Sequence, residues 1–501
     1  MRSAVLLVLA VPLTSAFAFQ SGASSPLAEA RKELFANRYA KAAELYAALV
    51  SREPGNPDAY YGVVRALLGS HRAPEAYTYA EQALERAPQS GGAENAAGLA
   101  SFRKGDLAQA EAHFRAALRL NLDDPAALQG LASVYSVFSK YKTARNLMLK
   151  AYSLSPDDPS LRLAYADSLK GVERVEALVR ILASLDSDSE EAKRLRFQIA
   201  LDRATLGREL RRLKSEYVST DLKLFKIMSG LPYPSGVGVR VQLNQRVTLK
   251  LMVDSSASGI SIAPHAAKSA GLIPLGEGIE VLGDGIQKPE ISLGYLASEV
   301  RIGEVIFADC PVGVFRGAGY GIYDGSIGMD LFRRFIVSID LGGANLSLVA
   351  KPERSGEQQD PTDAGDAIPA GFVRLLRFGS DVALSTSVNG HPPAIFLLET
   401  ASNINVIDSA LARQLSLFYR DDRARVRGAQ GQIMNVYRAR DMALTFAGFR
   451  HRNVSLIGVD FHNTRERDGV EVAGSLGMPV LYELKLTIDY REGIIRTEYV
   501  P

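Results

Sequence analysis

Two stretches of this chain repeat each other 145 residues apart. "LMVDSSASGISIAPHAAKSAGL", from Leu251, lies without a gap over "FLLETASNINVIDSALARQLSL", from Phe396, so Asp254 meets Glu399 and Leu272 meets Leu417. A second pair, "GSIGMDLFRRFIVSIDL" and "GSLGMPVLYELKLTIDY", matches at a shift of 149, so Gly328 meets Gly477 and Asp340 meets Asp489. The four-residue difference falls between them, where each copy has a Gly-rich hairpin candidate: "VLGDGIQKPE" at Val281 to Glu290 and "VRGAQGQIMNV" at Val426 to Val436. Short alternating runs between Gly-rich turns read as β-strands. The C-terminal half is therefore predicted to be two similar β units, at 236–350 and 368–501. Between them the charged, Pro- and Gly-bearing segment "KPERSGEQQDPTDAGD", 351–366, reads as a linker.

The N-terminal half follows a different period. Ala42, Ala76, Ala110 and Ala144 lie 34 apart, as do Ala83, Ala117 and Ala151; Pro54, Pro88 and Pro156 keep the same spacing, with Leu122 in the slot where proline is missing. Small residues at fixed points of such a period let paired helices approach closely, and the proline ends the second helix of each pair because it cannot continue the hydrogen-bond ladder. This resembles the tetratricopeptide repeat over residues 27–160. The resemblance implies a curved all-α solenoid whose concave face takes a peptide or protein segment. Residues 161–230, including "SEEAKRLRFQIALDRATLGRELRRLKSEY", are predicted to be further helices that cap the array.

Within each β unit the order is a strand, an acid-hydroxyl-small loop, a short helix, a hairpin, and then two apolar residues and Gly before the strand "VSID" or "LTID". This order resembles the retropepsin-like aspartic proteases. The resemblance implies an all-β double domain with pseudo-two-fold symmetry, and so a multidomain chain in which this domain follows the solenoid. In that family each unit gives one aspartate from an Asp-Thr/Ser-Gly loop, and hairpin flaps close over an extended peptide. Carried over residue by residue, it puts the paired acids at Asp254 and Glu399 and the hydroxyls that brace them at Ser255 and Thr400. The flaps fall at Gly283, Asp284 and Gly285 and at Gly428 and Gly431.

Peptide hydrolysis by this route needs two carboxyls that share one proton across a water molecule, one acting as base and the other as acid. The chain departs from the family pattern at Ser256 and Ala401, which stand where the family has Gly, and at Glu399, which stands where it has the second Asp. Each added β-carbon costs on the order of 1 kcal/mol or more where a glycine permits close approach or positive φ. The extra methylene of Glu399 displaces its carboxyl by roughly 1.5 Å, a change of the size that costs on the order of a hundredfold in rate. Three readings stay open at this level. The β domain is an Asp/Glu endopeptidase; or it binds extended peptides without cutting them; or it is structural and the repeats carry the function.

The first residues, "MRSAVLLVLAVPLTSAFAFQ", place Arg2 before an apolar run and the pattern Ala16-Phe17-Ala18, the layout of a signal peptide cleaved after Ala18. An exported chain, periplasmic or extracellular, with no integral membrane segment after cleavage is expected. Cys310 is the only cysteine, so no internal disulfide forms, and its apolar surroundings read as core. The six histidines show no metal-ligand spacing, so no metal or other cofactor is expected. With 58 Lys and Arg against 56 Asp and Glu, and no basic run interleaved with aromatics, nucleic acid is not an expected partner. Asp340 and Asp489 match each other but are predicted to close turns by accepting backbone N–H groups.

Overall fold

The computed structural model of the chain describes residues 25–214, 219–230, 233–280, 290–315, 323–351, 368–415, 418–420, 426–428, 431–433, 437–459, 466–467 and 469–500. The predicted signal segment 1–18 lies outside these residues, as does all but the first residue of the 351–366 linker. None of the described helices is long and apolar enough to cross a membrane.

The 34-residue period is the period of the helices. Helices begin at Pro57, Gly91, Pro125 and Pro159, and their partners at Tyr39, Ala73, Leu107 and Tyr141. The residue before each of the first set is an N-cap on the same spacing: Asn56, Ser90, Asp124 and Asp158 each accept backbone N–H groups of the first turn. Ala42, Ala76, Ala110, Ala83, Ala117 and Ala151 are fully buried where the helices touch. Gly98 and Gly130 close on Phe114 from two sides; an added Cβ would stand 2.7 Å and 2.3 Å from its ring. The array curls far enough for Arg65 in the helix Pro57–Gly69 to reach Asp158, 93 residues on, through two hydrogen bonds of 2.6 and 2.8 Å.

Helical structure continues through Pro159–Ser168, Gly171–Leu182 and Glu190–Ala204 and then stops. The expectation of capping helices through 230 is corrected from this point. Arg212–Leu213, Ser219–Lys223 and Phe225–Ile227 are strands. Ion pairs from Arg208 to Asp309, Arg211 to Asp330 and Lys214 to Glu299 draw this basic stretch onto the first β unit. Further on, the stretch "STDLKLFKI" is carried by the two strands Ser219–Lys223 and Phe225–Ile227, with Leu224 between them in the core.

Among the described residues the β region has two barrel-like sheets, a third sheet between them and two small two-stranded ones. The first unit, joined by Arg212–Leu213 and Phe225–Ile227, forms a nine-stranded sheet and the second an eight-stranded one. The six-stranded sheet pairs Phe335–Asp340 of the first unit with Leu484–Asp489 of the second, antiparallel and with Ser338 opposite Thr487. These two residues are 149 apart, so each equivalent faces its counterpart and the pseudo-two-fold axis passes between them. Their hydroxyls are 3.2 Å apart. The duplicate units thus pair within one chain.

The array is not a free appendage. Phe102, Leu107, Ala110 and Phe114 share one apolar cluster with Leu376, Phe378, Ile395, Leu397, Val470 and Val472 of the second β unit. Tyr77 donates a hydrogen bond to Glu471 across the same boundary at 2.9 Å.

Candidate active site

Asp254 is the last residue of a buried strand, and Glu399 directly follows one. Val247–Asp254 runs parallel to Gly325–Gly328, with Gly328 opposite Asp254, and Ala394–Leu398 runs parallel to Gly474–Leu476, with Leu398 opposite Leu476. The glycine after Ser326-Ile327 and after Ser475-Leu476 lets the acid-bearing loop lie against it. A Cβ on Gly328 would come 2.2 Å from the Ala257 carbonyl oxygen, and one on Gly477 would come 2.1 Å from that of Ile404. The short helices that follow the loops, Pro264–Ala270 and Ser409–Leu415, are 145 residues apart at both ends.

The loops meet through their hydroxyls. The Ser255 N–H donates to Thr400 Oγ1 at 3.1 Å, and the Thr400 N–H donates to Ser255 Oγ at 3.1 Å. Thr400 Oγ1 donates in turn to the Val253 carbonyl at 2.9 Å, and Ser255 Oγ donates to that of Leu398. Both side chains are buried, at 1% and 0% exposure, so every one of these bonds is made away from water. Asp254 and Glu399 immediately precede the exchanged pair and flank the axis.

Asp254 is half-buried, and its Oδ1 accepts the Ser256 N–H at 2.9 Å. Burial pushes its carboxyl above the ordinary carboxylate range, against the pull of the Ser256 and Ala257 N–H groups, which favour the charged form. Tyr323 lies close by. Its phenol is pushed up by burial and by the charge of Asp254. Glu399 is also half-buried, and its N–H donates to the Leu476 carbonyl at 2.9 Å.

Ser256 and Ala401, in the positions that are Gly in the resembled loops, do not adopt a positive φ, so a side chain there carries no left-handed strain. Ser256 Oγ is buried and has no hydrogen-bond partner among the described residues. Of the flap positions, Gly283, Asp284 and Gly285 lie outside the described residues. Gly428 and Gly431 face each other at the end of a two-stranded antiparallel pair.

Sequence reasoning missed Asp330. It is 3% exposed and accepts the Gly259 N–H at 2.7 Å and the Ser258 hydroxyl at 3.3 Å, so it ties down the far end of the Asp254 loop. Arg211 pairs with it at 2.9 Å. The second unit ties its loop in a different way: the Gly477 N–H donates to Asn405 Oδ1 at 2.8 Å. Asp340 and Asp489 accept backbone N–H groups in turns, from Gly343 and from Arg491 and Glu492. Cys310 is 1% exposed in the core, where burial pushes its thiol up to about 12. No group of side chains suited to holding a metal ion occurs among the described residues.

The sequence model of the aspartyl protease family matches twice, over residues 239–331 and 384–480. Two tetratricopeptide-repeat models match residues 34–99 and 95–159. Among solved structures, an aspartic proteinase from Irpex lacteus is similar at 12% identity, covering 56% of this chain and 98% of its own, with a TM-score of 0.39. A thermophilic tetratricopeptide protein of Thermus thermophilus is similar at 23% identity, covering 35% of this chain and 95% of its own, with a TM-score of 0.28. A comparison with curated proteins finds no match.

Proposed function

This chain joins tetratricopeptide repeats to a duplicated aspartyl-protease domain, and from that premise we propose that it is an exported endopeptidase. In this reading the cleft between the β units holds an extended peptide, and Asp254 and Glu399 act as a mixed acid pair. The observation that carries the proposal is the two-way exchange of hydrogen bonds between Ser255 and Thr400. A pair that only filled space would not need both hydroxyls buried on the axis and each engaged with the opposite strand.

The roles follow from the surroundings of each acid. Asp254, whose carboxyl burial favours in the neutral form, carries the shared proton and gives it to the carbonyl oxygen of the scissile bond. Glu399 takes a proton from the attacking water, and its longer side chain sets the water off the midline of the cleft. The proton on Glu399 then passes to the leaving nitrogen as the tetrahedral carbon collapses, and one of the two hydroxyls on that carbon returns its proton to Asp254, which restores the acid pair. The array, packed against the second unit, recruits a protein substrate whose extended segment enters the cleft.

A second reading, a cleft that binds peptide without cutting it, is favoured by the extra methylene of Glu399 and by the unpartnered hydroxyl of Ser256 at the loop. Cleavage of a mixed peptide pool between about pH 3.5 and 7 separates the two, because an acid pair sharing one proton works near that range. Cuts that disappear in both Asp254→Ala and Glu399→Gln support the endopeptidase. An inert wild type that retains peptides supports the binding reading.

A further inference from the structure

Where the array meets both β units, a cavity of about 450 Å³ is lined by Ser133, Ser136 and Tyr141 from the helices, by Arg333 from the first unit and by Arg377 from the second. Its chemistry is unusual for an internal boundary. Arg377 is 4% exposed, and its guanidinium lies between the rings of Tyr141 and Tyr490, at 5.4 and 5.3 Å. Its Nε has no hydrogen-bond partner, and neither does the buried hydroxyl of Tyr490; among the described residues no carboxylate pairs with Arg377.

Arg333 has Asp330 at 3.6 Å, but that carboxylate is already held by Arg211 at 2.9 Å, by the Gly259 N–H and by the Ser258 hydroxyl. Two guanidiniums therefore share one carboxylate, and Arg377 has none among the described residues. Arg333 and Arg377 face the same cavity, Arg333 from its half-exposed rim and Arg377 from its buried wall. A buried guanidinium such as Arg377 without a carboxylate is costly until an anion shares the space, and its unused N–H fits the oxygens of carboxylate or phosphate.

We propose that this cavity binds a small oxyanion, through Arg377 and Arg333 with Ser136 and Tyr141 supplying hydroxyl donors. The site connects to the Asp254 loop in two ways. Arg333 and Asp330 lead to Gly259, and Gly379 on the cavity wall precedes Ser380, whose hydroxyl donates to the Ser256 carbonyl at 3.5 Å. The proposal does not depend on whether the acid pair cleaves peptides.

The test is thermal unfolding of the full chain with inorganic phosphate or succinate, against potassium chloride at equal ionic strength. A midpoint raised by on the order of 3 °C or more by either anion, and not in Arg377→Met, supports the site, and the anion that acts identifies its class. No rise beyond chloride with either anion, or a rise that Arg377→Met keeps, overturns it. If Arg377→Met does not fold, Ser136→Asp takes its place, since it tethers a carboxylate in the cavity. A higher midpoint at low salt together with loss of the anion response supports the proposal; a lower midpoint with the response intact overturns it.

Discussion

Thr400 shows how much one hydroxyl does in this domain. It accepts the Ser255 N–H and donates to the Val253 carbonyl, both in the dry interior between the β units. Thr400→Val keeps the shape and leaves both partners unsatisfied, so it should cost about 2–6 kcal/mol, measured by urea unfolding, since each buried group left unpaired costs about 1–3 kcal/mol. Asp254 sets a pH dependence of a definite sign. Its carboxyl is raised above the unfolded value, so its contribution to stability is fully present below the ordinary carboxylate pKa of about 4 and is lost as pH rises through the higher folded value. Asp254→Asn should therefore be more stable than wild type at pH 7 and show no such gain at about pH 3, as paired melts would record. Asp254, Glu399, Ser255 and Thr400 are legible in the sequence because both copies of the duplicated loop keep an acid followed by a hydroxyl. Asp330 is not, because the residue 149 further on is Pro479, and a repeat reveals only what both copies retain. The cost of a side chain at Ser256 and Ala401 is hidden for another reason: φ is a property of the folded loop, and here it stays negative.

The helices of the array owe their starts to side chains as much as to packing. Asp158 caps Pro159–Ser168 and also receives the fork of Arg65, whose side chain is 22% exposed. Asp158→Ala removes a cap and strands a partly buried guanidinium, so a loss of about 3–5 kcal/mol is expected from denaturant unfolding, compared with about 1 kcal/mol for Ser90→Ala, which removes a cap and a local hydrogen bond to the Ala87 carbonyl but strands no charge. The period of alanines and prolines is enough to make the solenoid legible in the sequence. The Asn, Ser and Asp caps repeat with the same spacing and sharpen the helix boundaries. The strands at Ser219–Lys223 and Phe225–Ile227 are harder to read, because each is a short run that follows a long basic helical stretch. Ser219–Lys223 pairs with the edge of the shared sheet at Asn345–Ala350, a partner more than a hundred residues away that no local pattern announces.

At the scale of the whole molecule, the array and the β domain share apolar surface built from Phe102, Phe114, Phe378, Ile395 and Val470. The intact chain is expected to unfold in one calorimetric transition. Ile395→Asp, which buries a charge at the boundary, should lower the midpoint and split the transition in two, because a coupled pair of units loses its coupling when the shared surface is broken. This docking is invisible in the sequence, since each of these residues reads locally as ordinary core of its own element. The axis through Ser255 and Thr400 and through Ser338 and Thr487 has one more implication. In a dimer of identical chains, whatever stands on one side of such an axis is copied on the other, and the difference between the two acids can only come and go with the position of a proton. Here the two sides are written at separate places in one gene, so Asp254 and Glu399 differ permanently, and mutation or isotopic labelling can reach either one alone.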